Sequence, residues 1–165
     1  MPTTPEELMR YLARLDIAVK TFQHPPLFTV EESRRLRGDI PGAHTKNLFL
    51  KDKKNRYFLV TVEEEARVDL KSLHSTIGAS GRLSFGKAEE LMDCLGVPPG
   101  AATVFGVLND RDGKVTVVLD AFLVSQEVVN AHPLHNEATT SIRSADLLRF
   151  LASTGHDPLV LKVAQ

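Results

Sequence analysis

The side chains in this sequence that are best suited to chemistry are a lysine, two neighbouring histidines and a single cysteine. Lys46 begins an apolar run directly after the flexible segment Gly42–Thr45. A lysine at the edge of a strand can direct its ammonium group into a cleft, where it contacts a phosphate or polarises a carbonyl group. The spacing alone leaves open the alternative of an ordinary surface lysine.

Metal and covalent chemistry have little support in the sequence. His132 and His135 lie three residues apart, but no Cys-x-x-Cys pair accompanies them to complete a zinc site. Cys94 lies on the apolar side of a predicted helix, as is typical of a small buried hydrophobic residue. The Gly-x-Ser-x-Gly motif of serine hydrolases does not occur. We therefore expect no metal, no cofactor and no covalent nucleophile.

The segment Gly81–Lys87 matches the first seven positions of a nucleotide-binding phosphate loop. The eighth position is Ala88, whereas the motif needs a Ser or Thr hydroxyl there to coordinate Mg²⁺. The strand that should precede such a loop is also missing, because residues 71–80 are polar and helix-like. The pattern indicates a glycine-bounded strand that leads into a helix.

Two capping-box patterns predict the helices of the N-terminal region. Thr4–Glu7 is such a box with Pro5 at the first helical position, and apolar residues follow it on one face. A second box, Thr29–Glu32, predicts a helix that runs toward Gly38. A short strand between these helices is predicted by the alternation of Ile17, Val19 and Thr21.

The middle of the chain has the pattern of a β-hairpin. Apolar runs at Asn47–Leu50 and Tyr57–Val62 are joined by Lys51–Arg56, which contains turn-forming residues. Later segments predict a helix capped by Asp69, a strand at Leu83–Phe85, a helix at Lys87–Leu95, strands at Val115–Leu119, Glu127–Asn130 and Ala138–Ile142, a helix capped by Ser144, and a closing strand at Leu159–Leu161.

These elements predict an α/β fold of the α+β kind, with residues 1–165 forming one domain. There are too few helices to connect every pair of neighbouring strands by a crossover. We therefore expect a mixed, strongly curved or barrel-like sheet with the helices packed outside it.

Composition and charge exclude several functional classes. Lys and Arg number 20 against 21 Asp and Glu, a formal net charge of −1, so extended binding along DNA by bulk positive charge is not expected. One cysteine cannot form a disulfide framework and is compatible with a reducing compartment. No apolar run is long enough to cross a membrane, and the N-terminus is too acidic for a secretory signal. We expect a cytoplasmic protein without a membrane partner.

Several segments, in this order along the chain, resemble the YbaK/ProX family, the free-standing relatives of the editing domain of bacterial prolyl-tRNA synthetase. The resemblance is strongest to the ProX-type alanyl-tRNA(Pro) deacylases and extends from about Pro25 to Phe150. It is carried by His24–Glu32, Thr45–Asp52, Gly96–Gly100, Phe105–Asp110 and His132–Thr140.

This resemblance implies a function and a set of site residues. It implies the YbaK-type fold and a hydrolase that deacylates mischarged tRNA(Pro), with alanyl-tRNA(Pro) as substrate, by attack of water assisted by the tRNA 2′-hydroxyl. Lys46, Asn47 and His132 become the catalytic candidates. Further substrate-binding candidates are Phe28, Thr29, Gly100, Ala101, Ala102, Thr103, Val104, Phe105 and Gly106. Val104 stands where the family usually has a proline. The implied partners are the aminoacylated 3′ end of tRNA and prolyl-tRNA synthetase.

Two alternatives remain open from the sequence. The same reaction could act on another small aminoacyl-tRNA, with cysteine or serine as the amino acid. A non-catalytic nucleic-acid-binding module would instead use the basic residues of Lys51–Arg56 and Arg34–Arg37 to contact phosphates. The near-zero net charge and the small number of aromatic residues argue against this second alternative.

Overall fold

The computed structural model describes residues 2–26 and 30–165. Its helices are α1 (Pro5–Arg14), α2 (Val30–Asp39), α3 (Leu70–Ile77), α4 (Ala88–Leu95), α5 (Ala121–Ser125) and α6 (Ser144–Ser153). Its strands are β1 (Lys20–Gln23), β2 (Ala43–Lys51), β3 (Tyr57–Glu63), β4 (Ser84–Phe85), β5 (Val115–Asp120), β6 (Val128–Ala131), β7 (Ala138–Arg143) and β8 (Leu159–Leu161). Two 3₁₀ helices, Pro99–Ala101 and Val104–Asn109, connect α4 to β5.

The strands of the described chain form one mixed sheet in the order β1-β7-β6-β2-β3-β5-β8, with β4 pairing with β2 outside this path. The β1–β7, β7–β6 and β2–β3 pairs are antiparallel, whereas β6–β2, β3–β5 and β5–β8 are parallel. The expected mixed sheet with helices around it is confirmed, and β2 is the strand that links its two halves.

The predicted hairpin is confirmed as β2 and β3, in register from Thr45 opposite Glu63 to Lys51 opposite Tyr57. Asp52 organises its turn. The buried carboxylate of Asp52 accepts hydrogen bonds from the backbone N–H groups of Lys54, Arg56 and Ser80 and from the Arg56 guanidinium.

Strands β2, β3 and β5 separate two apolar cores, because successive side chains of a strand point to opposite faces. The larger core packs α1, α4, α6 and the second 3₁₀ helix against one face. The smaller core packs α3 against the other face. Phe49 and Leu59 belong to the first core, and Leu50 and Val60 belong to the second.

Helix starts are largely as the sequence predicts. Thr4 accepts a hydrogen bond from the Glu7 backbone N–H and completes the predicted capping box of α1, and Asp69 caps α3. The prediction that Ser144 caps α6 is wrong. Arg143 is the capping position, because β7 runs directly into the helix and the Ser144 N–H donates to the carbonyl of Glu127.

The first strand begins at Lys20 and not at Ile17 as predicted. The Ile17 N–H donates to the Leu12 carbonyl, so Ile17 closes the end of α1 and packs into the larger core. The predicted capping residue Thr29 lies outside the described residues. Within residues 2–26 and 30–165, no helix has both the length and the apolarity that crossing a membrane requires.

Candidate functional site

Strand β2 has a stretch of edge that no other described strand covers. On one side, β3 pairs with nearly its whole length. On the other side, β6 pairs with β2 only at Ala43 and His44, and β4 pairs with it only at Leu50 and Lys51. Residues 45–49 therefore face an opening between β6 and β4.

The backbone of Asn47 points into this opening. The Glu64 N–H donates to the His44 carbonyl on the β3 side, and the Gly86 N–H donates to the Phe49 carbonyl on the β4 side. Because alternate residues of an antiparallel strand direct their polar backbone groups to opposite edges, Asn47 shares the direction of Phe49. Its N–H and C=O groups are therefore turned toward the open edge.

The side chains of Lys46 and Asn47 leave β2 on opposite faces of the sheet. Lys46 lies opposite Val62, on the side of the smaller core, and its ammonium group donates to the Ala66 carbonyl at 2.6 Å. Asn47 lies opposite Thr61, on the other side. The Lys46 ammonium group therefore lies at the segment that follows β3, whereas the Asn47 amide contacts the loop at Ala102 on the other face.

Hydrogen bonds fix the orientation of the Asn47 amide. The hydroxyl of Thr61, a fully buried residue, donates to Asn47 Oδ1 at 2.6 Å. Asn47 Nδ2 in turn donates to the Ala102 carbonyl at 3.2 Å. Asn47 thereby ties the open edge of β2 to the loop that precedes the second 3₁₀ helix.

The same loop contacts the segment that contains His132. The hydroxyl of Thr103, a buried residue, donates to the His132 carbonyl at 2.6 Å. Asn47, Ala102, Thr103 and His132 are thus joined by consecutive contacts, although they come from three distant parts of the chain. These residues form the candidate site.

The backbone N–H groups of residues 100–106 differ in whether they have a hydrogen-bond acceptor. Those that already donate inside the protein belong to Ala101, Ala102, Phe105 and Gly106. The N–H groups of Gly100, Thr103 and Val104 have no hydrogen-bond acceptor among the described residues. A proline at position 104 would lack one of them, so valine adds a donor to this loop.

His132 is held as a neutral imidazole with a defined tautomer. Its Nδ1–H donates to the Ala138 carbonyl at 2.9 Å, because a carbonyl oxygen can only accept. Burial lowers the pKa of His132 from its usual value, and the Ala138 hydrogen bond offsets only part of this effect. The neutral ring therefore carries a lone pair on Nε2, which accepts hydrogen bonds or a proton.

His24 is a site residue that the sequence reasoning missed as a functional group. Its ring centre lies 6.3 Å from that of His132. Its Nδ1–H donates to the Pro25 carbonyl, so its Nε2 accepts the hydroxyl hydrogen of Thr139, each at 2.8 Å. The sequence signal for His24 was its place at the start of His24–Glu32, one of the segments that carry the family resemblance.

The other candidate residues differ in where their side chains lie. Val104 and Phe105 are buried in the larger core, where the Phe105 ring packs edge-on against Phe150 at 5.4 Å. Gly106 packs so closely on Leu95 that an added Cβ would lie 2.9 Å from the Leu95 Cβ. These three residues are placed to support the loop through their packing. Phe28 and Thr29 lie outside the described residues.

The described residues contain no group of three His, Cys, Asp or Glu side chains positioned to hold a metal ion. Cys94 is buried in the larger core, as its helix position predicts, and burial raises the pKa of its thiol. The chemistry that this arrangement supports rests on polar side chains and backbone N–H groups.

Comparison with known proteins places the chain in a family. Residues 24–150 match the model of the aminoacyl-tRNA editing domain. The prolyl-tRNA synthetase associated domain-containing protein 1 of Bos taurus is 42% identical over 158 residues, which cover 93% of this chain and 92% of that protein. The prolyl-tRNA editing protein ProX of Acetoanaerobium sticklandii is 36% identical over 146 residues, which cover 88% of each chain.

Solved structures share the fold at lower sequence identity. One described as a proposed trans-editing enzyme for prolyl tRNA synthetase is 23% identical, with a TM-score of 0.68, and the match covers 94% of this chain and 96% of that one. A second, described as a hypothetical protein, has a TM-score of 0.74 at 18% identity and covers 96% and 99% of the two chains. The family match and the close relatives establish that the chain belongs to the aminoacyl-tRNA editing domain family, as a member of the YbaK/ProX type.

Proposed function

We propose that this protein is a trans-editing hydrolase that deacylates alanyl-tRNA(Pro), releasing alanine and free tRNA. The observation that carries the proposal is the chain of contacts from Asn47 through Ala102 and Thr103 to His132. It places oriented polar groups beside an open strand edge. Membership of the editing-domain family supplies the class of reaction.

The ester carbonyl of the substrate binds to the loop in this proposal. The N–H groups of Gly100, Thr103 and Val104 are the donors that the folded loop has not used. Attack of water converts the carbonyl into a tetrahedral oxyanion, and preorganised N–H donors stabilise this developing charge. A subsequent collapse breaks the ester bond, and the proton released by the attacking water passes to the leaving ribose oxygen.

His132 orients the ribose of the terminal adenosine. Its Nε2 lone pair accepts the hydrogen of the free ribose hydroxyl, which then positions the attacking water. The depressed pKa of His132 keeps this nitrogen unprotonated near neutral pH. The nucleophile is water, since an aminoacyl ester is already activated toward hydrolysis.

Lys46 contacts the phosphate of the terminal nucleotide. Its ammonium group has three hydrogens, and the Ala66 carbonyl accepts only one of them. Two of its hydrogens remain for a phosphate, on the face of the sheet that carries the smaller core. An ammonium group acts on phosphate as a compact point charge, so its removal weakens substrate binding and misplaces the ester.

Small side chains set the amino-acid preference. Ala102 contributes a single, partly buried methyl group next to Thr103, whose hydroxyl is fixed on the His132 carbonyl, and Ala101 packs behind it in the larger core. A compact pocket of this kind admits alanine and excludes the larger proline ring. The synthetase has the opposite difficulty, because a pocket made for proline cannot strongly exclude a smaller residue.

The proposal is tested with a panel of tRNA(Pro) charged with alanine, cysteine, serine or proline. We expect rapid hydrolysis of the alanyl ester and none of the prolyl ester beyond the spontaneous rate. Lys46→Ala should lose at least 100-fold in kcat/KM, while Lys54→Ala, an exposed lysine at the hairpin tip, retains full activity. If the protein prefers the cysteinyl or seryl ester, the proposed reaction stands but its proposed substrate is wrong. If it hydrolyses none of the esters, the proposal is refuted.

Three of the seven basic residues that could serve a DNA-binding module form ion pairs within the protein. Lys51 donates to Glu90, Arg56 pairs with Asp52, and Arg34 contacts Glu65. We therefore expect tRNA to bind more tightly than duplex DNA of equal length at physiological salt, in a filter-binding assay. The names of the relatives support association with prolyl-tRNA synthetase as a further part of this proposal.

A further inference from the structure

A cleft of about 530 Å³ opens where the parallel strands β3, β5 and β8 end. Glu63 and Asp120, the last residues of β3 and β5, line it together with Lys162, which follows β8. In open α/β sheets, ligands bind in crevices outside the carboxyl ends of the parallel strands. The proposed function gives this cleft no role so far.

The cleft adjoins the Lys46 ammonium group. Ala66 lines the cleft, and its carbonyl accepts the Lys46 hydrogen bond at 2.6 Å. Lys46 is paired with Val62, which belongs to the smaller core. Asp120 lies two residues after Val118, which belongs to the same core. Because paired and alternate residues of a sheet share a face, the Lys46 and Asp120 side chains leave the sheet on the same side. A phosphate bound by Lys46 therefore lies beside this cleft.

The Asp120 carboxylate offers the cleft one oriented hydrogen-bond acceptor. Asp120 is 2% exposed, and its Oδ1 accepts hydrogen bonds from the backbone N–H groups of Val163 and Ala164, at 2.8 and 3.1 Å. Its Oδ2 accepts none from the described residues, and the side chain does not cap α5 although Asp120 stands at the capping position. Among the described residues, His74 Nδ1 is the only enclosed side-chain polar atom without a partner, so Asp120 Oδ2 is open to the cleft. A ligand there meets an acceptor and must supply a donor.

The other walls of the cleft suit a flat ring. Phe122 lines it, and the side chain of this residue is 49% exposed. Ala66, Ala121 and Ala164 add only single methyl groups, which leave room beside the Phe122 ring. The exposed Lys162 adds a positive charge. Aromatic side chains next to cations are typical of surfaces on which the bases of single-stranded nucleic acids stack.

We propose that this cleft binds the base of the nucleotide that precedes the terminal one and that it selects cytosine at this position. This inference rests on the proposed deacylase function, in which Lys46 binds the phosphate between these two nucleotides. The ester lies at the loop on the other face of the sheet, so the preceding nucleotide continues from this phosphate onto the face of the cleft. Its base stacks on Phe122, and its amino group donates to Asp120 Oδ2.

The free oxygen of Asp120 distinguishes cytosine from uracil. Cytosine carries an amino group at position 4, which donates to carboxylates of Asp and Glu. Uracil carries a carbonyl oxygen there, which would face Asp120 Oδ2 without a hydrogen between them. Asp120→Asn reverses this pattern. Its Oδ1 still accepts from Val163 and Ala164, whereas an amide nitrogen that donates replaces Oδ2.

The test uses L-alanyl esters of adenosine and of the dinucleotides CpA and UpA. We expect kcat/KM to be about tenfold higher for the CpA ester than for the UpA ester, which corresponds to one base-specific hydrogen bond. Asp120→Asn should bring this ratio to one or below. Phe122→Ala should lower kcat/KM about tenfold for both dinucleotide esters, because stacking tolerates any base, and leave the adenosine ester unchanged. The changes should appear in KM, since this base does not react.

Two matched variants control for indirect effects. Phe85→Ala removes an exposed phenylalanine of β4 that does not line the cleft. Asp112→Asn makes the same change in charge as Asp120→Asn, at an exposed position in the turn before β5. Both controls should keep the tenfold ratio and the wild-type kcat/KM for each ester.

The outcomes separate this inference from the proposed function. Lost or reversed discrimination in Asp120→Asn, with weaker use of both dinucleotide esters by Phe122→Ala, supports the cytosine subsite. Equal hydrolysis of the CpA and UpA esters by the wild-type protein, or a tenfold ratio that persists in Asp120→Asn, overturns it while the deacylase function stands. If Asp120→Asn does not fold, Phe122→Ala decides, and wild-type values in this variant overturn the subsite. If neither these esters nor alanyl-tRNA(Pro) are hydrolysed, the proposed function fails and the subsite with it.

Discussion

Replacing Thr61 by valine tests whether the orientation of Asn47 matters for the reaction. The two side chains have nearly the same shape, so Thr61→Val removes a hydroxyl group and leaves the packing of β3 in place. The change deletes the 2.6 Å hydrogen bond to Asn47 Oδ1. Thr61 is fully buried, whereas Asn47 is half-buried, so water offsets part of the loss. The Asn47 amide is then held only through Ala102.

The loss of this hydrogen bond determines how much stability and activity the variant should lose. An amide oxygen that loses its partner in the protein interior costs about 1–3 kcal/mol, and the apolar valine side chain offsets part of this cost. We expect a net loss of about 1 kcal/mol in the free energy of unfolding, which corresponds to a fall of about 2–4 °C in Tm for a protein of this size. If the transition state is destabilised by the same 1 kcal/mol or so, kcat/KM should decrease about fivefold.

The assay compares Thr61→Val with Thr61→Ser and Thr116→Val. Serine keeps the hydroxyl and should restore most of the deacylation rate, although it loses a methyl group. Thr116 is an exposed threonine of β5, and its replacement by valine should change neither rate nor Tm appreciably. If Thr61→Val hydrolyses alanyl-tRNA(Pro) at the wild-type rate despite a lowered Tm, the Asn47 amide is structural and its placement in the reaction is refuted.

Three further predictions concern stability. Burial favours the neutral form of Asp52, but four hydrogen bonds outweigh it and hold its pKa at about 2. This shift should contribute about 2 kcal/mol to the free energy of unfolding above pH 4, and the contribution should be lost as the pH falls from about 4 toward 2. Urea titrations across this pH range should show the loss. The loss should be smaller in Asp52→Asn. Asp110 is also buried, and burial favours its neutral form, but hydrogen bonds from His156 Nε2–H and two backbone N–H groups lower its pKa. Asp110→Asn should therefore lower the free energy of unfolding by about 3 kcal/mol. Thermal unfolding measures this change. Gly86→Ala would place a Cβ against the buried Phe49 ring, and the resulting overpacking should cost about 1–3 kcal/mol in denaturant unfolding. Gly100→Ala, whose added Cβ would lie 3.6 Å from Asn136 Nδ2, makes an ordinary contact and should cost less.

Local sequence patterns predicted most of the elements because their determinants are near neighbours in the chain. The capping box at Thr4–Glu7 and the cap at Asp69 depend on residues two or three positions apart. The hairpin depends on a short turn between apolar runs. The patterns failed where a neighbouring element decides the boundary, as at Ser144, whose backbone bonds to Glu127 on another strand.

The site was predictable only in part, since its contacts join distant segments. Lys46 stood out through its position at the start of an apolar strand, and family resemblance added Asn47 and His132. Neither signal predicts that Thr61 orients Asn47 or that His24 lies beside His132. Thr61 is 14 residues from Asn47 in the chain, and His24 is 115 residues from Thr139, which binds its ring. Such pairs follow from strand register, which single-sequence patterns do not determine.

The open edge of β2 explains how two consecutive residues can serve one site. Within a covered strand, Lys46 and Asn47 would be separated by the thickness of the sheet, since neighbouring side chains point to opposite faces. Between β6 and β4 the described strands leave this edge uncovered. In the proposed function, the ester of a terminal nucleotide meets Asn47 and the loop on one face of the sheet, and its phosphate meets the Lys46 ammonium group on the other. A covering strand would block this access, so the split in the sheet is itself part of the proposed site.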